Sequence, residues 1–168
     1  MIFDNRNHAA TLLAERLHDY RGKHPLVLAI PRGALPMGKI IADALGGELD
    51  VVLTRKLRAP GNPEYAIGSI DETGWAYISE YATAAGATAD YIEQEKQTQL
   101  DTIRRRRMQY TPVRQPADPE GRIVIVVDDG LATGATMIAA LHALRARKPK
   151  SLICGTSGNA AKSRAVRR

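Results

Sequence analysis

The sequence predicts an α/β fold built on a mainly parallel, twisted sheet with helices on its faces. Five consecutive β-branched residues, at 123–127, cannot alternate between a buried and an exposed face, which indicates a strand covered on both sides. Short apolar runs of this kind alternate with helical patterns along the chain, and parallel strands joined by right-handed crossovers suit that alternation. A chain of 168 residues also has the size of one domain.

The N-terminal half of the sequence alternates between helical and extended patterns. Its first helix follows Asp4 and Asn7, either of which could cap it, and its second helix stops at the glycine pair 46–47. Two prolines and a glycine then interrupt the pattern, as in a loop. The predicted elements are a helix over 9–17, a strand over 26–30, a helix over 35–45, a strand over 51–54 and a loop over 55–65.

The C-terminal half adds a small hairpin, a long helix and the strand that carries the main motif. Residues 71–74 suit a turn between two short strands, and Asp90 with Glu93 forms a capping pair for a polar helix. Three prolines mark a linker after that helix. The predicted elements are strands over 66–70 and 75–79, a helix from 90 to about 107, a strand over 123–127, a helix over 137–147 and a strand over 151–154.

Composition and charge argue against several classes of protein. No apolar stretch approaches the length of a membrane span and the N-terminus is polar, so we expect a cytoplasmic protein that does not enter a membrane. The net charge of +6 comes largely from residues 104–107 and 162–168, but no aromatic residues interleave with these clusters, and nucleic acid is not an expected partner. The single cysteine, Cys154, cannot form an intrachain disulfide.

The most informative segment joins two adjacent carboxylates to a loop of small residues. Asp128 and Asp129 follow the strand 123–127, at the edge where ligands of parallel sheets bind, and carboxylates there can accept hydrogen bonds from vicinal hydroxyls or hold a hard cation. Residues 133–136 precede a helix, so their backbone N–H groups would face an anion such as phosphate. Gly134 leaves the backbone open to close approach. The order of these features predicts a site for a phosphorylated polyol.

Three other kinds of phosphate site do not fit the sequence. It contains no Gly-x-x-x-x-Gly-Lys-[Ser/Thr] loop and no Gly-x-Gly-x-x-Gly after a strand, which excludes a Walker-type loop and a dinucleotide fingerprint. An acidic pocket of the response-regulator kind would need a further Asp and a Lys at other strand ends, and no convincing set is present.

The string Val-Val-Asp-Asp-Gly-Leu-Ala-Thr-Gly-Ala-Thr, residues 126–136, resembles the phosphoribosyl-diphosphate signature of type I phosphoribosyltransferases. Residues 30–34 resemble the pyrophosphate loop of that family, and residues 55–65 resemble its mobile catalytic loop. The segments IPRGALPMG and RKLRAPGNPEYAIGSI are similar to a bacterial subgroup often labelled predicted phosphoribosyltransferases. The resemblance defines a phosphoribosyltransferase-like domain over 1–155 and leaves 156–168 as a basic, disordered tail.

The resemblance implies a Mg²⁺-dependent transfer of 5-phosphoribose from phosphoribosyl diphosphate to a nitrogenous base, purine or pyrimidine, with release of pyrophosphate, as in nucleotide salvage. The carboxylate pair would bind the ribose hydroxyls and hold Mg²⁺ indirectly, through those hydroxyls or water, and the loop after it would take the 5-phosphate. The basic residues would face the diphosphate and close over it as the catalytic groups. The implied catalytic residues are Arg32, Arg55 and Lys56, and the implied substrate-binding residues are Arg32, Gly33, Asp128, Asp129, Gly130, Ala132, Thr133, Gly134, Ala135 and Thr136.

Two departures from the family pattern affect the acceptor. Relatives that use hypoxanthine and guanine commonly carry an Asp as general base at the place of Ala132, and a methyl group cannot move a proton. The residues after 155 do not resemble the rest of the family's hood, so we expect an incomplete hood and an exposed sheet edge that favours a homodimer. A regulatory module that binds phosphoribosyl diphosphate and an inactive truncated relative are therefore the alternatives to an enzyme.

Overall fold

The computed structural model describes residues 5–112, 115–130, 135–156 and 164–165. The chain divides into two compact units, the first comprising Met1–Val52, Pro116–Met137 and Leu144–Arg168, and the second Leu53–Gln115 and Ile138–Ala143. The single domain expected over 1–155 therefore stays a prediction.

The elements are α1 (Arg6–Arg16), a 3₁₀ turn (His18–Tyr20), β1 (Leu26–Ala29), α2 (Leu35–Leu45), β2 (Glu48–Val51), β3 (Thr54–Ala59), β4 (Asn62–Asp71), β5 (Ala76–Ile78), α3 (Ala89–Tyr110), β6 (Ile123–Asp128), α4 (Ala135–Ala146), β7 (Ser151–Thr156) and β8 (Arg164–Ala165).

The first unit is built on a five-stranded sheet in the order β2-β1-β6-β7-β8. The first four strands are parallel, and β8 adds to β7 in the antiparallel direction. Ala29 pairs with Val127 on one side and Val51 on the other, so β1, β2 and β6 reach the same edge of the sheet. The predicted α/β class with a mainly parallel sheet is confirmed.

The core of the first unit lies between this sheet and the helices α1 and α2. Its apolar side chains come from both helices and from β1, β6 and β7, and include Ile125 and Val127. Val124 and Val126, which point to the opposite face of the sheet, are also fully buried, so the strand 123–127 needs no alternation. Helix α2 ends where Gly46 adopts a left-handed conformation with φ of 65°, as its sequence predicted. Fully buried members of the core include Ala10, Val27, Met37, Ile41, Leu45 and Ile125.

The second unit contains an antiparallel sheet in the order β3-β4-β5, against which α3 packs. The predicted hairpin around 71–74 is confirmed, because β4 and β5 pair on either side of this turn and the Asp71 carboxylate accepts hydrogen bonds from the N–H groups of Thr73 and Trp75. The predicted loop over 55–65 is wrong. These residues form β3 and the start of β4, and Pro60 with Gly61 (φ of 69°) makes a two-residue turn between Ala59 and its partner Asn62.

Four smaller expectations are also corrected. The cap of α1 is Asn5, whose side chain accepts from the N–H of His8, and the cap of α3 is Thr88 rather than Asp90. The second strand covers 48–51 instead of 51–54, because its pairing with β1 fixes its position. Disorder over 156–168 is wrong for Thr156, at the end of β7, and for the two residues of β8, while 157–163 and 166–168 lie outside the described residues. None of the helices in the described part of the chain is long and apolar enough to cross a membrane.

Candidate functional site

The site begins where β6 ends. The strand buries Val124 to Val127 completely, and its last residue, Asp128, pairs with Thr156 of β7 and remains only 8% exposed. The next residue, Asp129, leaves the sheet, and about a quarter of its side chain is exposed (26%). The sheet therefore presents two carboxylates side by side at its carboxyl edge, where the sequence predicted them, and the structure adds that one is buried and the other accessible.

The environment of Asp128 disfavours its charged form. Burial raises the pKa of Asp128, the neighbouring charge of Asp129 raises it further, and hydrogen bonds from the backbone N–H groups of Gly130 and Asp129 only partly oppose this shift. A carboxylate in this position gains most from a ligand that donates hydrogen bonds or brings positive charge. Vicinal hydroxyls and a hydrated cation are such ligands.

The loop after β1 approaches the same carboxylates. The N–H of Ile30 donates to the carbonyl oxygen of Val127 at 2.8 Å, so the chain after β1 departs beside the end of β6. There a Cβ placed on Gly33 would overlap the carboxylate of Asp129, which means that only glycine permits this approach. The peptide bond between Pro31 and Arg32 is cis, and the side chain of Arg32 is exposed. The structure thus brings Gly33 and the carboxylate pair together.

The loop expected to hold the 5-phosphate is described only at its two ends. Gly130 is exposed at its start, and Thr136 is exposed in the first turn of α4. Helix α4 begins at Ala135, two residues earlier than expected, so Ala135 and Thr136 belong to its first turn, where backbone N–H groups lack helical partners. The predictions for Ala132, Thr133 and Gly134 lie outside the described residues, as does the side chain of Ala135.

Arg55 and Lys56 belong to the second unit and lie on β3 rather than on a loop. The Arg55 Nε donates to Gln99 Oε1 of α3 at 2.9 Å. Burial lowers the pKa of Arg55, and the nearby positive charges of Arg106 and Arg58 lower it further. Lys56 is exposed and pairs with Ser69 in the hairpin. The catalytic role of both residues stays a prediction.

One residue at the site is absent from the sequence-based assignment. Arg6, the first residue of α1, places its Nη2 atom 2.9 Å from Oδ2 of Asp129. The two residues are far apart in the sequence, and a single arginine near the N-terminus belongs to no motif that could have revealed the contact. The accessible carboxylate therefore lies between the glycine of the β1 loop and a guanidinium of α1.

Comparison with known proteins places the chain in a family. Residues 1–168 match the family model described as the phosphoribosyl transferase domain. The crystal structure of TT1426 from Thermus thermophilus is similar, with 44% identity and a TM-score of 0.82 over 93% of this chain and 74% of that one. A hypoxanthine phosphoribosyltransferase from Staphylococcus aureus, at 16% identity and a TM-score of 0.53 over 94% of this chain and 70% of that one, shares the fold.

Curated relatives agree with this placement. A provisionally named phosphoribosyl transferase of Mycobacterium tuberculosis, recorded in strains H37Rv and CDC 1551, is 38% identical over 149 residues, which cover 86% of this chain and 33% of the relative. The chain thus spans about a third of the length of these curated relatives. The match over the whole chain, together with the carboxylate pair at the edge of the sheet, shows that this protein belongs to the phosphoribosyl transferase domain family.

Proposed function

We propose that the chain catalyses transfer of 5-phosphoribose from phosphoribosyl diphosphate to a nitrogenous base, with Mg²⁺ as cofactor and pyrophosphate as the second product. One observation carries the proposal. At the carboxyl edge of a parallel sheet, the carboxylate of Asp129, beside that of Asp128, meets the backbone of Gly33, in a chain of the phosphoribosyl transferase domain family. This arrangement places carboxylate oxygens, which accept hydrogen bonds from hydroxyl groups, beside a loop that can receive an anion.

The carboxylates would bind the sugar of the donor. Ribose hydroxyls can donate to the oxygen atoms of Asp128 and Asp129, and such bonds compensate the burial and the mutual repulsion that raise the pKa of Asp128. Two hydroxyls held on adjacent side chains fix the orientation of the ring. The reacting carbon, C1, is then held still relative to the loops that would receive the phosphate groups.

The chemical step breaks the bond between C1 and the diphosphate oxygen and forms a bond from C1 to a ring nitrogen of the base, whose N–H proton passes to water or to the departing pyrophosphate. The leaving diphosphate takes the electron pair of the broken bond, so positive groups and N–H donors near it lower the barrier. The backbone of Gly33 and the exposed guanidinium of Arg32 belong to the loop after β1 and are proposed for that task. Arg55 and Lys56 are proposed as further cationic groups for the same charge.

The residues at the site fit a magnesium ion that arrives with the donor. Among the described residues there is no group of three or more His, Cys, Asp or Glu side chains able to hold a metal alone. Mg²⁺ commonly keeps water and binds through one or two carboxylates together with substrate phosphates, and Asp128 with Asp129 offers this donor set. When bound, the ion would neutralise part of the diphosphate charge.

The acceptor is proposed only as a class, a purine or pyrimidine base. Ala132 cannot act as a proton acceptor, so a base whose reacting nitrogen needs little help from an enzyme group is favoured. The cytoplasmic location, the incomplete hood, the homodimer and the absence of nucleic acid among the partners stay predictions.

The test is pyrophosphate release from phosphoribosyl diphosphate and Mg²⁺ over a panel of purines and pyrimidines. We expect one class of base to support turnover and Asp129→Asn to reduce it by about a hundredfold or more. Asp43→Asn is the matched control, because Asp43 is an exposed carboxylate of α2 that pairs with surface Lys39.

Two outcomes would contradict the proposal. Pyrophosphate release that is unchanged in Asp129→Asn would reject the assigned site. Tight binding of the donor without turnover for any base would favour the alternative, a regulatory module that binds phosphoribosyl diphosphate.

A further inference from the structure

Arg6 contacts the candidate donor site from an element that the family motif does not include. Its Nη2 atom lies 2.9 Å from Oδ2 of Asp129, and the two side chains are 65% and 26% exposed. The motif residues come from β6 and from the loop after β1, whereas Arg6 begins helix α1. Three separate segments of the chain therefore converge on one carboxylate.

The backbone that carries Arg6 is held firmly. Asn5 caps the helix by accepting a hydrogen bond from the N–H of His8 at 2.9 Å. One turn later Ala9, Ala10 and Leu13 are buried in the core of the first unit. The guanidinium thus extends from a fixed helix end, and its distance from Asp129 depends mainly on its own side-chain rotamer.

The other side of Asp129 is also occupied. Any Cβ at position 33 would overlap its carboxylate, so the glycine backbone limits movement of the carboxylate in that direction. Arg6 limits it in a second direction by a charge-assisted contact. A carboxylate held between a backbone and a guanidinium presents its remaining lone pairs in a defined direction. The two ribose hydroxyls need such a fixed direction because both must donate hydrogen bonds at the same time.

Charge gives Arg6 a second effect. The donor carries a phosphate and a diphosphate, and two adjacent carboxylates repel such an anion. A guanidinium in contact with Asp129 offsets one of these charges, so the donor meets less repulsion at the carboxylate pair.

We propose that Arg6 is a positioning residue of the donor site, which aims the Asp129 carboxylate at the ribose hydroxyls and balances its charge so that a polyanionic donor can bind. The proposal rests on the proposed function, because it assumes that Asp129 binds the donor. It adds α1 to the parts of the chain that determine donor affinity.

The experiment measures the dissociation constant of phosphoribosyl diphosphate with Mg²⁺ by calorimetry, without an acceptor base. Arg6→Gln is expected to weaken binding by about tenfold, the usual size of one charge-assisted hydrogen bond, and Arg6→Lys to recover part of the loss. Arg16→Gln is the matched control, since it removes the same charge from the far end of the same helix, and its affinity should equal that of the wild type.

A double substitution separates positioning from a general charge effect. In the Asp129→Asn background, Arg6→Gln should change the affinity by less than about twofold, because its partner is already altered. The unfolding midpoint of Arg6→Gln should stay close to that of the wild type, since exposed ion pairs contribute little to stability.

Each contrary result has a distinct meaning. Equal affinity of the wild type and Arg6→Gln would overturn the role of Arg6 and leave the proposed function intact. Losses that multiply in the double variant would show that Arg6 does not act through Asp129. Failure of the wild type to bind the donor at all would reject the proposed function itself.

Discussion

The two units of the chain bury charge in opposite ways. In the second unit, Arg107 is 8% exposed and donates from Nε to Glu72 Oε2 at 2.8 Å, while buried Glu95 accepts from Arg58 and from Gln99. In the first unit, buried Asp50 accepts hydrogen bonds from two backbone N–H groups, and the buried carboxylate of Asp128 has another carboxylate as its neighbour.

This difference separates structural charges from functional ones. No buried side-chain nitrogen or oxygen among the described residues lacks a hydrogen-bond partner, so both units satisfy their polar atoms. In the second unit, Glu95 and Arg107 each gain an opposite charge as well. A buried acid beside a like charge at the edge of a sheet is costly to the folded protein, and such groups are concentrated at functional sites.

The largest expected effect tests the paired charges of the second unit. Glu72→Ala leaves the guanidinium of Arg107 inside the unit without its carboxylate, since the side chains are only 14% and 10% exposed. We expect the free energy of unfolding to fall by about 3–5 kcal/mol. Urea denaturation followed by circular dichroism measures the change, and Glu93→Ala, which breaks an exposed pair with Lys96 on α3, should cost less than about 1 kcal/mol.

A double substitution sharpens this test. Glu72→Leu with Arg107→Met replaces the pair by apolar side chains and should recover most of the stability lost in Glu72→Ala, because desolvation of both charges is avoided. If Glu72→Ala costs no more than Glu93→Ala, the buried pair is not what holds α3 to its sheet.

An intermediate effect concerns the approach of the β1 loop to the carboxylates. In Gly33→Ala the added methyl group would displace the Asp129 carboxylate, so donor affinity should fall by about tenfold while stability changes by roughly 1 kcal/mol. Calorimetric titration with phosphoribosyl diphosphate and Mg²⁺ measures the first and thermal unfolding the second.

The control for that variant is a glycine with free space around it. Gly121→Ala adds the same methyl group before the start of β6, away from the carboxylates; no atom lies within 4 Å of the added Cβ, and its φ of 67° makes the substitution cost about 1 kcal/mol. Donor affinity that falls equally in both variants would indicate that contact with Asp129 is not the cause.

The first unit was easier to predict from the sequence than the second, for a physical reason. Apolar runs such as 123–127 and stop signals such as Gly46 act locally, so the parallel strands β1, β6 and β7, the helix α2 and the carboxylate edge were foreseeable, whereas the bounds of β2 were not. Arg6 was not, because its contact with Asp129 depends on how α1 packs against the sheet.

In the second unit the local signals were misleading. The breakers Pro60 and Gly61 indicated a long loop, yet they make the turn of a single hairpin. The sequence predicted α3 only as a polar helix, whereas in the structure residues spaced by four, Glu95, Gln99, Ile103 and Arg107, form its buried face. The spacing of four residues was visible in the sequence. The sequence did not reveal the hydrogen-bonding partners on β3 and in the turn after β4 that allow these polar side chains to be buried.

The smallest expected effect tests the like-charge neighbours of the first unit. Burial and the charge of Asp129 raise the pKa of Asp128 above that of an aspartate in the unfolded chain. When the pH rises past the unfolded pKa, the unfolded chain releases its proton first, and the folded state loses stability until the pH exceeds its own pKa. Asp128→Asn should therefore be more stable than the wild type at pH 7, although it binds the donor less well.

The pH dependence distinguishes this cause from improved packing. Below the ordinary pKa of an aspartate, Asp128 is protonated in both states, so the advantage of Asp128→Asn in the free energy of unfolding should shrink towards pH values of about 3, whereas better packing would persist. Asp43→Asn, which removes an exposed carboxylate, should show no gain at either pH. A gain in the free energy of unfolding that is equal at neutral and acidic pH would mean that like-charge repulsion does not destabilise the site. The two units would then differ in how their buried charges are arranged, and not in what those charges cost the folded protein.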